Sequence, residues 1–210
     1  MTRRLFVLVL AVLVLWPPAG FRSPGAAPTV GDEGARAGLA GRLLVATESM
    51  GDPRFARTVI FMALHDADGA LGLVVNRPIG DITFKALFEE LRLDPAPAEG
   101  SGTLRAFYGG PVEPERGFVL HSRDVVLDES LVAGELALTT EPAMLRALAA
   151  HNGPEHSLFA FGYAGWSAGQ LESEIARGDW IVVPADSALV FADDPTATWA
   201  RALARRAIEL

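Results

Sequence analysis

The chain has 210 residues, 50% of them hydrophobic, which suits one self-supporting domain with a short appendage. It contains no cysteine, which excludes disulfides, thiolate metal sites and a cysteine nucleophile. From Leu39 onward 24 acidic residues outnumber 14 basic ones, and so acidic a body argues against direct binding to the phosphate backbone of DNA.

The N-terminus begins with a basic pair, Arg3 and Arg4, followed by the apolar run Leu5–Trp16 and the breaker Pro17. This order is typical of a secretory signal peptide, and the run is short for a membrane-spanning helix. Two alternatives stay open: the run is a buried helix of the domain, or translation starts near Val30.

These features divide the chain into three parts. Residues 1–20 form a signal-peptide-like or membrane-anchor segment, residues 21–38 a Pro/Gly/Ala-rich linker, and residues 39–210 the folded domain. A genuine leader predicts a periplasmic or membrane-anchored protein that contacts the membrane through residues 5–16.

Two strands are predicted at the start of the domain, Arg42–Thr47 and Thr58–His65. The turn Asp66–Gly69 and a third strand, Leu71–Val75, then complete an antiparallel hairpin. Apolar residues are continuous rather than alternating, which predicts strands buried on both faces.

The segment Asn76–Gly80 interrupts this pattern and precedes a helix that Asp81 or Thr83 caps. Its apolar residues follow the spacing of a one-sided helix. They are Phe84, Leu87, Phe88 and Leu91.

The remaining strands and helices alternate along the chain. The predicted strands are Leu104–Tyr108, Gly117–His121, Glu135–Thr139, Ser157–Phe161 and Trp180–Val183. The predicted helices are Pro142–Ala150, Ser167–Arg177 and a last one that Asp194 and Pro195 open, with Trp199, Leu203 and Ile208 facing inward. This mixture predicts an α/β (α+β) fold: a single compact domain with a mixed β-sheet flanked by helices.

Three segments in this order, at 43–78, 108–122 and 161–184, resemble the YqgE/AlgH family of bacterial proteins. The resemblance implies a compact α/β domain, usually cytosolic, in a family with no agreed activity. One family member was named as a transcriptional regulator of exopolysaccharide synthesis, so the resemblance also implies a regulatory role. The hydrophobic leader departs from the family pattern.

Three segments that follow strands are shaped by glycine or proline, and sites gather in such places. They are Asn76–Pro78, Gly109–Pro111 and Gly162–Trp166, and we call them together the rim. If they meet, the candidate ligand-binding residues are Asn76, Arg77, Gly109, Gly110, Tyr163, Gly165 and Trp166.

Each part of the rim also has an ordinary explanation. Asn76 can bond nearby backbone, Arg77 can form an internal salt bridge instead of awaiting an anionic ligand, and Gly109–Pro111 can be a plain turn rather than a nest of backbone donors. Directly after the predicted turn at Gly162–Trp166, Ser167 and Gln170 form a capping box for the helix that follows.

The histidines suggest a different class of protein, a metal-assisted hydrolase using His65, His121 and nearby aspartates. No spaced metal motif, P-loop or dinucleotide fingerprint accompanies them, so we predict no cofactor, no metal and no catalytic residue. The favoured interpretation is a non-enzymatic binding or regulatory domain whose partner is an unknown protein or small ligand.

Overall fold

The computed structural model describes residues 38–94 and 102–205. The leader and residues 21–37 of the linker, on which the export prediction depends, lie outside the described residues. None of the helices within those two ranges has the length and apolar character needed to cross a membrane.

Strands dominate the described part of the chain. They are β1 (Arg42–Ala46), β2 (Val59–His65), β3 (Gly69–Val74), β4 (Pro78–Thr83), β5 (Thr103–Tyr108), β6 (Val112–Ser122), β7 (Leu131–Ala133), β8 (Leu136–Thr139), β9 (Ser157–Ser167) and β10 (Trp180–Pro184). The helices are α1 (Phe84–Glu90), α2 (Pro142–Ala149), α3 (Gln170–Ala176), α4 (Ser187–Val190) and α5 (Thr198–Arg205), with a 3-10 turn at Pro195–Ala197 before the last.

The strands form one curled, mixed sheet in the order β10-β1-β2-β3-β9-β6-β8-β7. The eleven-residue strand β9 organises it, because β6 pairs along one of its sides while β5 and β3 share the other. All pairings are antiparallel except β5 with β9, and β4 extends the sheet from β5. The predicted mixed α+β fold is therefore confirmed.

The two faces of the sheet bury different apolar clusters. One face carries a continuous cluster that runs from β1 to β8 and includes Leu189 of α4 and Ala202 of α5. The other face is divided: Leu171 of α3 joins one cluster there, and the buried residues of α1 and α2 join another. Alternation along each strand sends neighbouring side chains to opposite faces, which explains why the strands read as continuously apolar.

Gly162 interrupts that alternation in β9. It adopts φ +71°, a left-handed conformation that glycine enters at little cost, and the pairing with β6 shifts register beside it. Before it Phe159 and Phe161 face α1 and α2, and after it Ala164 and Trp166 face α3. The predicted turn at Gly162–Trp166 is therefore wrong, because the glycine reverses the alternation opposite a bulge in β6 and the strand continues to Ser167.

Other sequence expectations also differ from the structure. The predicted break at Asn76–Gly80 contains the start of β4, an exposed edge strand that has no apolar alternation to reveal it. The helix predicted from Ser167 begins at Gln170 with Gly169 as its N-cap. The Gln170 side chain accepts the Ser167 N–H as expected, but the Ser167 hydroxyl bonds that same side chain instead of a helical N–H.

Several local signals are confirmed. The hairpin of β2 and β3 forms, and Thr83 caps α1 by accepting the N–H of Ala86. Pro142 begins α2, and Asp194 caps the turn leading to α5. Ile208, which is predicted to face inward, lies outside the described residues.

Candidate functional site

The structure brings the backbones of the three rim segments together. The N–H of Tyr108 donates to the carbonyl of Arg77 at 2.8 Å, and the N–H of Gly109 donates to the carbonyl of Phe161 at 2.8 Å. The rim is therefore one junction of strands β3, β5 and β9.

The glycines at this junction leave no space between the segments. A Cβ on Gly109 would lie 2.2 Å from the carbonyl oxygen of Gly162, and one on Gly110 would lie 2.1 Å from the carbonyl carbon of Tyr163. Their small size therefore serves close backbone contact rather than a nest around a ligand.

Asn76 and Arg77 hold the loop between β1 and β2. Buried Asn76 accepts the N–H of Val59 at 2.8 Å and donates to the carbonyl of Arg57 at 2.9 Å. Arg77 donates to the carbonyls of Arg54 and Ala56. Asn76 thus bonds backbone far along the chain rather than nearby, and Arg77 bonds neutral carbonyls.

The aromatic rim residues point to opposite faces of the sheet. Tyr163 packs with the continuous cluster, edge-on to Phe118, with its ring beside exposed Gly165. Trp166 is buried on the other face, where its Nε1–H donates to Glu174 at 2.8 Å. One ligand pocket cannot include both rings, so Trp166 does not belong with Tyr163 in a shared site.

The two histidines of the hydrolase alternative lie at opposite ends of β9. His65 of β2 pairs with Ala70 of β3, which in turn pairs with Trp166 near the end of β9. His121 of β6 pairs directly with Ser157 at the start of β9. At about 3.3 Å per residue these positions are roughly 25–30 Å apart, too far for a common metal ion. The alternative built on both side chains is therefore wrong.

Each histidine also has its own local environment. His65 accepts the N–H of Leu39 at Nδ1 and meets Glu172 at 2.8 Å through Nε2. His121 is fully buried, its Nδ1 bonds the carbonyl of Ser122, and its Nε2 has no partner among residues 38–94 and 102–205. Burial lowers the pKa of His121, with a smaller opposing effect from that carbonyl.

Within the same two ranges, no three His, Asp or Glu side chains converge as metal ligands would. Ser122 meets Asp124 at 2.5 Å but also accepts the backbone N–H of His156, which makes it part of a loop closure.

A cleft of about 520 Å³ opens elsewhere, between the end of α1, the start of α2 and the outer parts of β6 and β8. The apolar part of its lining, which we call its floor, includes half-buried Leu91 and Leu93 and the buried residues Val119, Leu145 and Phe159. Its size falls within the range of roughly 300–1,000 Å³ found for small-molecule sites. The polar residues at its rim are Glu90, Arg92, Glu115, Arg116, Thr140 and Glu141, and buried Thr139 also lines it.

Negative charge predominates at this cleft. Three carboxylates face two guanidinium groups, and Arg116 is already paired with Glu113 at 3.0 Å. Glu115 is exposed on the bulged part of β6, whereas Glu141 accepts the N–H of Glu129 and so supports the loop before β7. The arrangement suits a ligand with an apolar body and a cationic group.

None of the cleft residues was a candidate from the sequence. They come from five elements, α1, β6, β8, α2 and β9, and the pairing of β6 with β8 and β9 helps to bring them together. The one available signal was the polar run Glu113–Arg116 between two apolar segments, since a polar insertion in a strand often marks a bulge.

Residues 38–94 and 102–205 thus form an α+β fold built on a curled, mainly antiparallel sheet. Residues 43–210 match the AlgH-like family (DUF179), and the chain belongs to that family.

Relatives and solved structures agree with this assignment. A UPF0301 protein of Cereibacter sphaeroides is 44% identical over 173 residues, covering 81% of this chain and 93% of the relative. Another from Bradyrhizobium diazoefficiens is 42% identical over 199 residues, covering 90% and 89%. The solution structure of AlgH from Pseudomonas aeruginosa matches with a TM-score of 0.68 at 40% identity, covering 84% of this chain and 93% of that one. A Corynebacterium diphtheriae protein at 23% identity shares the fold, with a TM-score of 0.61 and coverage of 79% and 86%.

Proposed function

We propose that this chain is a non-enzymatic binding domain that takes a small ligand, apolar at one end and cationic at the other, in the cleft between α1 and α2. The observation that carries the proposal is the combination of an apolar floor with an acidic rim in a cleft of about 520 Å³. The regulatory role implied by the family resemblance would follow if occupancy of the cleft changed the affinity for a partner protein.

A matched pair of probes tests the ligand chemistry. 2-Phenylethylamine and phenylacetate share a ring and differ in the sign of their charge, so amide chemical-shift titrations with each separate shape from electrostatics. We expect 2-phenylethylamine to give saturable shifts at Val119, Leu145 and Phe159, and phenylacetate to bind more weakly.

Two matched variants locate the interaction. Glu115→Gln removes a carboxylate from the cleft rim, and Glu135→Gln removes an exposed one outside it. We expect only the first to weaken binding, by about tenfold if one charge-assisted contact is lost. Equal weakening by both variants, or equal binding of both probes, would overturn the proposal.

A further inference from the structure

We infer that His65, at the end of β2, is a pH-dependent anchor for residues 38–40, where the described part of the chain begins. The neutral ring holds the backbone at Leu39, and a second proton on the ring releases it. The anchor shares no residue with the cleft, so the inference stands apart from the proposed function.

The two nitrogens of the His65 ring have different partners. Nδ1 lies 3.0 Å from the backbone nitrogen of Leu39, and Nε2 lies 2.8 Å from a carboxylate oxygen of Glu172 on α3. A backbone N–H can only donate, so Nδ1 is the unprotonated acceptor of this bond. The single ring proton is therefore on Nε2, which donates it to Glu172.

The bond to His65 is the first backbone tie between the described chain and the sheet. The carbonyl of Leu39 bonds only within its own turn, where it accepts the N–H of Arg42, and its side chain is partly buried on the face that α3 covers. The next tie to β2 is made by Gly41, whose N–H donates to the carbonyl of Met62 at 2.8 Å. Loss of the His65 bond therefore frees the backbone that precedes Gly41.

A second proton reverses the role of Nδ1. The imidazolium carries an N–H at both nitrogens, so the donor on Nδ1 faces the donor of Leu39 and the bond between them is lost. The contact between Nε2 and Glu172 becomes an ion pair and is strengthened. Acidification therefore leaves the ring bonded to α3 alone and removes its bond to the N-terminal backbone.

Glu172 is the charged partner that makes the second proton accessible. The His65 side chain is 12% exposed and that of Glu172 is 56% exposed, so water reaches the pair from the carboxylate side. A backbone N–H of α3 and, to a smaller extent, His65 lower the pKa of Glu172. The carboxylate therefore stays ionised between about pH 5 and pH 8, where histidine changes charge.

The other charged side chains of the surrounding elements make no bond to the ring within residues 38–94 and 102–205. Asp66 and Asp68 follow His65 in the turn, where the Asp66 carboxylate accepts the N–H of Asp68. Arg42 is exposed at the start of β1, and Glu174 of α3 accepts from two indoles. Glu172 is therefore the charge to vary.

Amide hydrogen exchange of Leu39, normalised to the intrinsic rate at each pH, tests the anchor in the full chain. We expect protection of this amide to fall by about tenfold between pH 8 and pH 5, as for the loss of one hydrogen bond. Gly41 is the internal reference, because its N–H bonds a carbonyl that does not titrate. Equal protection of Leu39 at both pH values would overturn the inference.

Two variants identify the group that titrates. His65→Asn places an acceptor oxygen near the position of Nδ1 but takes up no proton, so protection of Leu39 should no longer depend on pH. Glu172→Gln removes the charge that attracts the imidazolium, so the loss of protection should move to lower pH. A loss that survives His65→Asn, or that Glu172→Gln leaves at the same pH, assigns the titration to another group and rejects the anchor.

His156→Asn is the matched control, because His156 is an exposed histidine beside a carboxylate of its own, Glu155 at 4.0 Å. It should leave the pH dependence at Leu39 unchanged. Equal effects of His65→Asn and His156→Asn would mean a change throughout the protein and contradict a local anchor. Should His65→Asn unfold, Glu172→Gln, which alters a more exposed side chain, decides alone.

Discussion

Trp166 donates its indole N–H to Glu174 at 2.8 Å, joining the end of β9 to α3. The same carboxylate oxygen accepts the indole N–H of Trp180 at 2.9 Å, and its other oxygen accepts from Gln170. Both indoles are nearly buried, so this one side chain satisfies two donors that water does not reach freely.

The first prediction concerns this carboxylate. Glu174→Ala leaves both indole donors unpaired and should lower the free energy of unfolding by about 2–4 kcal/mol, which urea denaturation measures. Glu174→Gln keeps an acceptor oxygen and should lower the free energy of unfolding by less than Glu174→Ala does. The exposed-site control Glu135→Ala should change stability by less than about 0.5 kcal/mol, and an equal loss there would contradict the explanation.

The second prediction concerns Asn76, which bonds the N–H of Val59 and the carbonyl of Arg57. Asn76→Asp has the same shape but sets a carboxylate oxygen against that carbonyl. We expect a loss of about 1–3 kcal/mol at pH 7 by urea denaturation. The same change at exposed Asn152 is the control, and comparable losses at the two positions would refute a specific role for Asn76.

The third prediction separates backbone conformation from contact at two glycines. Gly162 has φ +71° and Gly169 has φ +73°, but a Cβ on Gly162 would lie 2.4 Å from the carbonyl oxygen of Gly110, whereas one on Gly169 meets nothing within 4 Å. Gly169→Ala should cost about 1–2 kcal/mol from conformation alone.

Gly162→Ala should cost clearly more in the same thermal-denaturation experiment, or prevent folding, because backbone must also move. Equal costs at the two glycines would show that β9 tolerates a side chain at position 162. The close backbone contact between Gly162 and Gly110 would then be loosely packed.

The fourth prediction concerns pH. Because burial lowers the pKa of His121, the unfolded chain binds this proton more readily than the folded protein does. Stability should therefore fall as pH drops below about 6.5, the ordinary value for histidine, with a slope of at most about 1.4 kcal/mol per pH unit. Above that pH both states are neutral and the contribution vanishes.

His121→Leu tests this by removing the titrating group, whose Nε2 has no partner within the described part of the chain. Urea denaturation between pH 5 and pH 7.5 should show a smaller acid loss in the variant, since the other three histidines are present in both proteins. Identical pH profiles would mean that His121 does not titrate differently on folding.

Local patterns in the chain predicted much of the scaffold. The hairpin of β2 and β3 followed from apolar runs around Asp66–Gly69, and α1 followed from the spacing of Phe84, Leu87 and Phe88. These features depend on residues close in sequence, so propensity and periodicity were sufficient.

The candidate site was less accessible to such reasoning. The rim segments do meet, but their side chains bond the protein itself, and the sequence could not reveal which partners Asn76 and Arg77 would find about twenty residues away. The cleft was missed altogether, because its floor and rim come from elements whose proximity is set by strand pairing.

By itself, then, the sequence determined the class of fold, the strands that fill the core and the acidity of the body, because each follows from composition and short-range periodicity. Tertiary structure alone decided that Gly162 reverses the side-chain alternation of β9, that Tyr163 and Trp166 face opposite sides of the sheet, and that an acidic cleft opens beside α2. The physical reason is that strand register is a long-range property: a one-residue shift sends each side chain to the other face without altering any local preference.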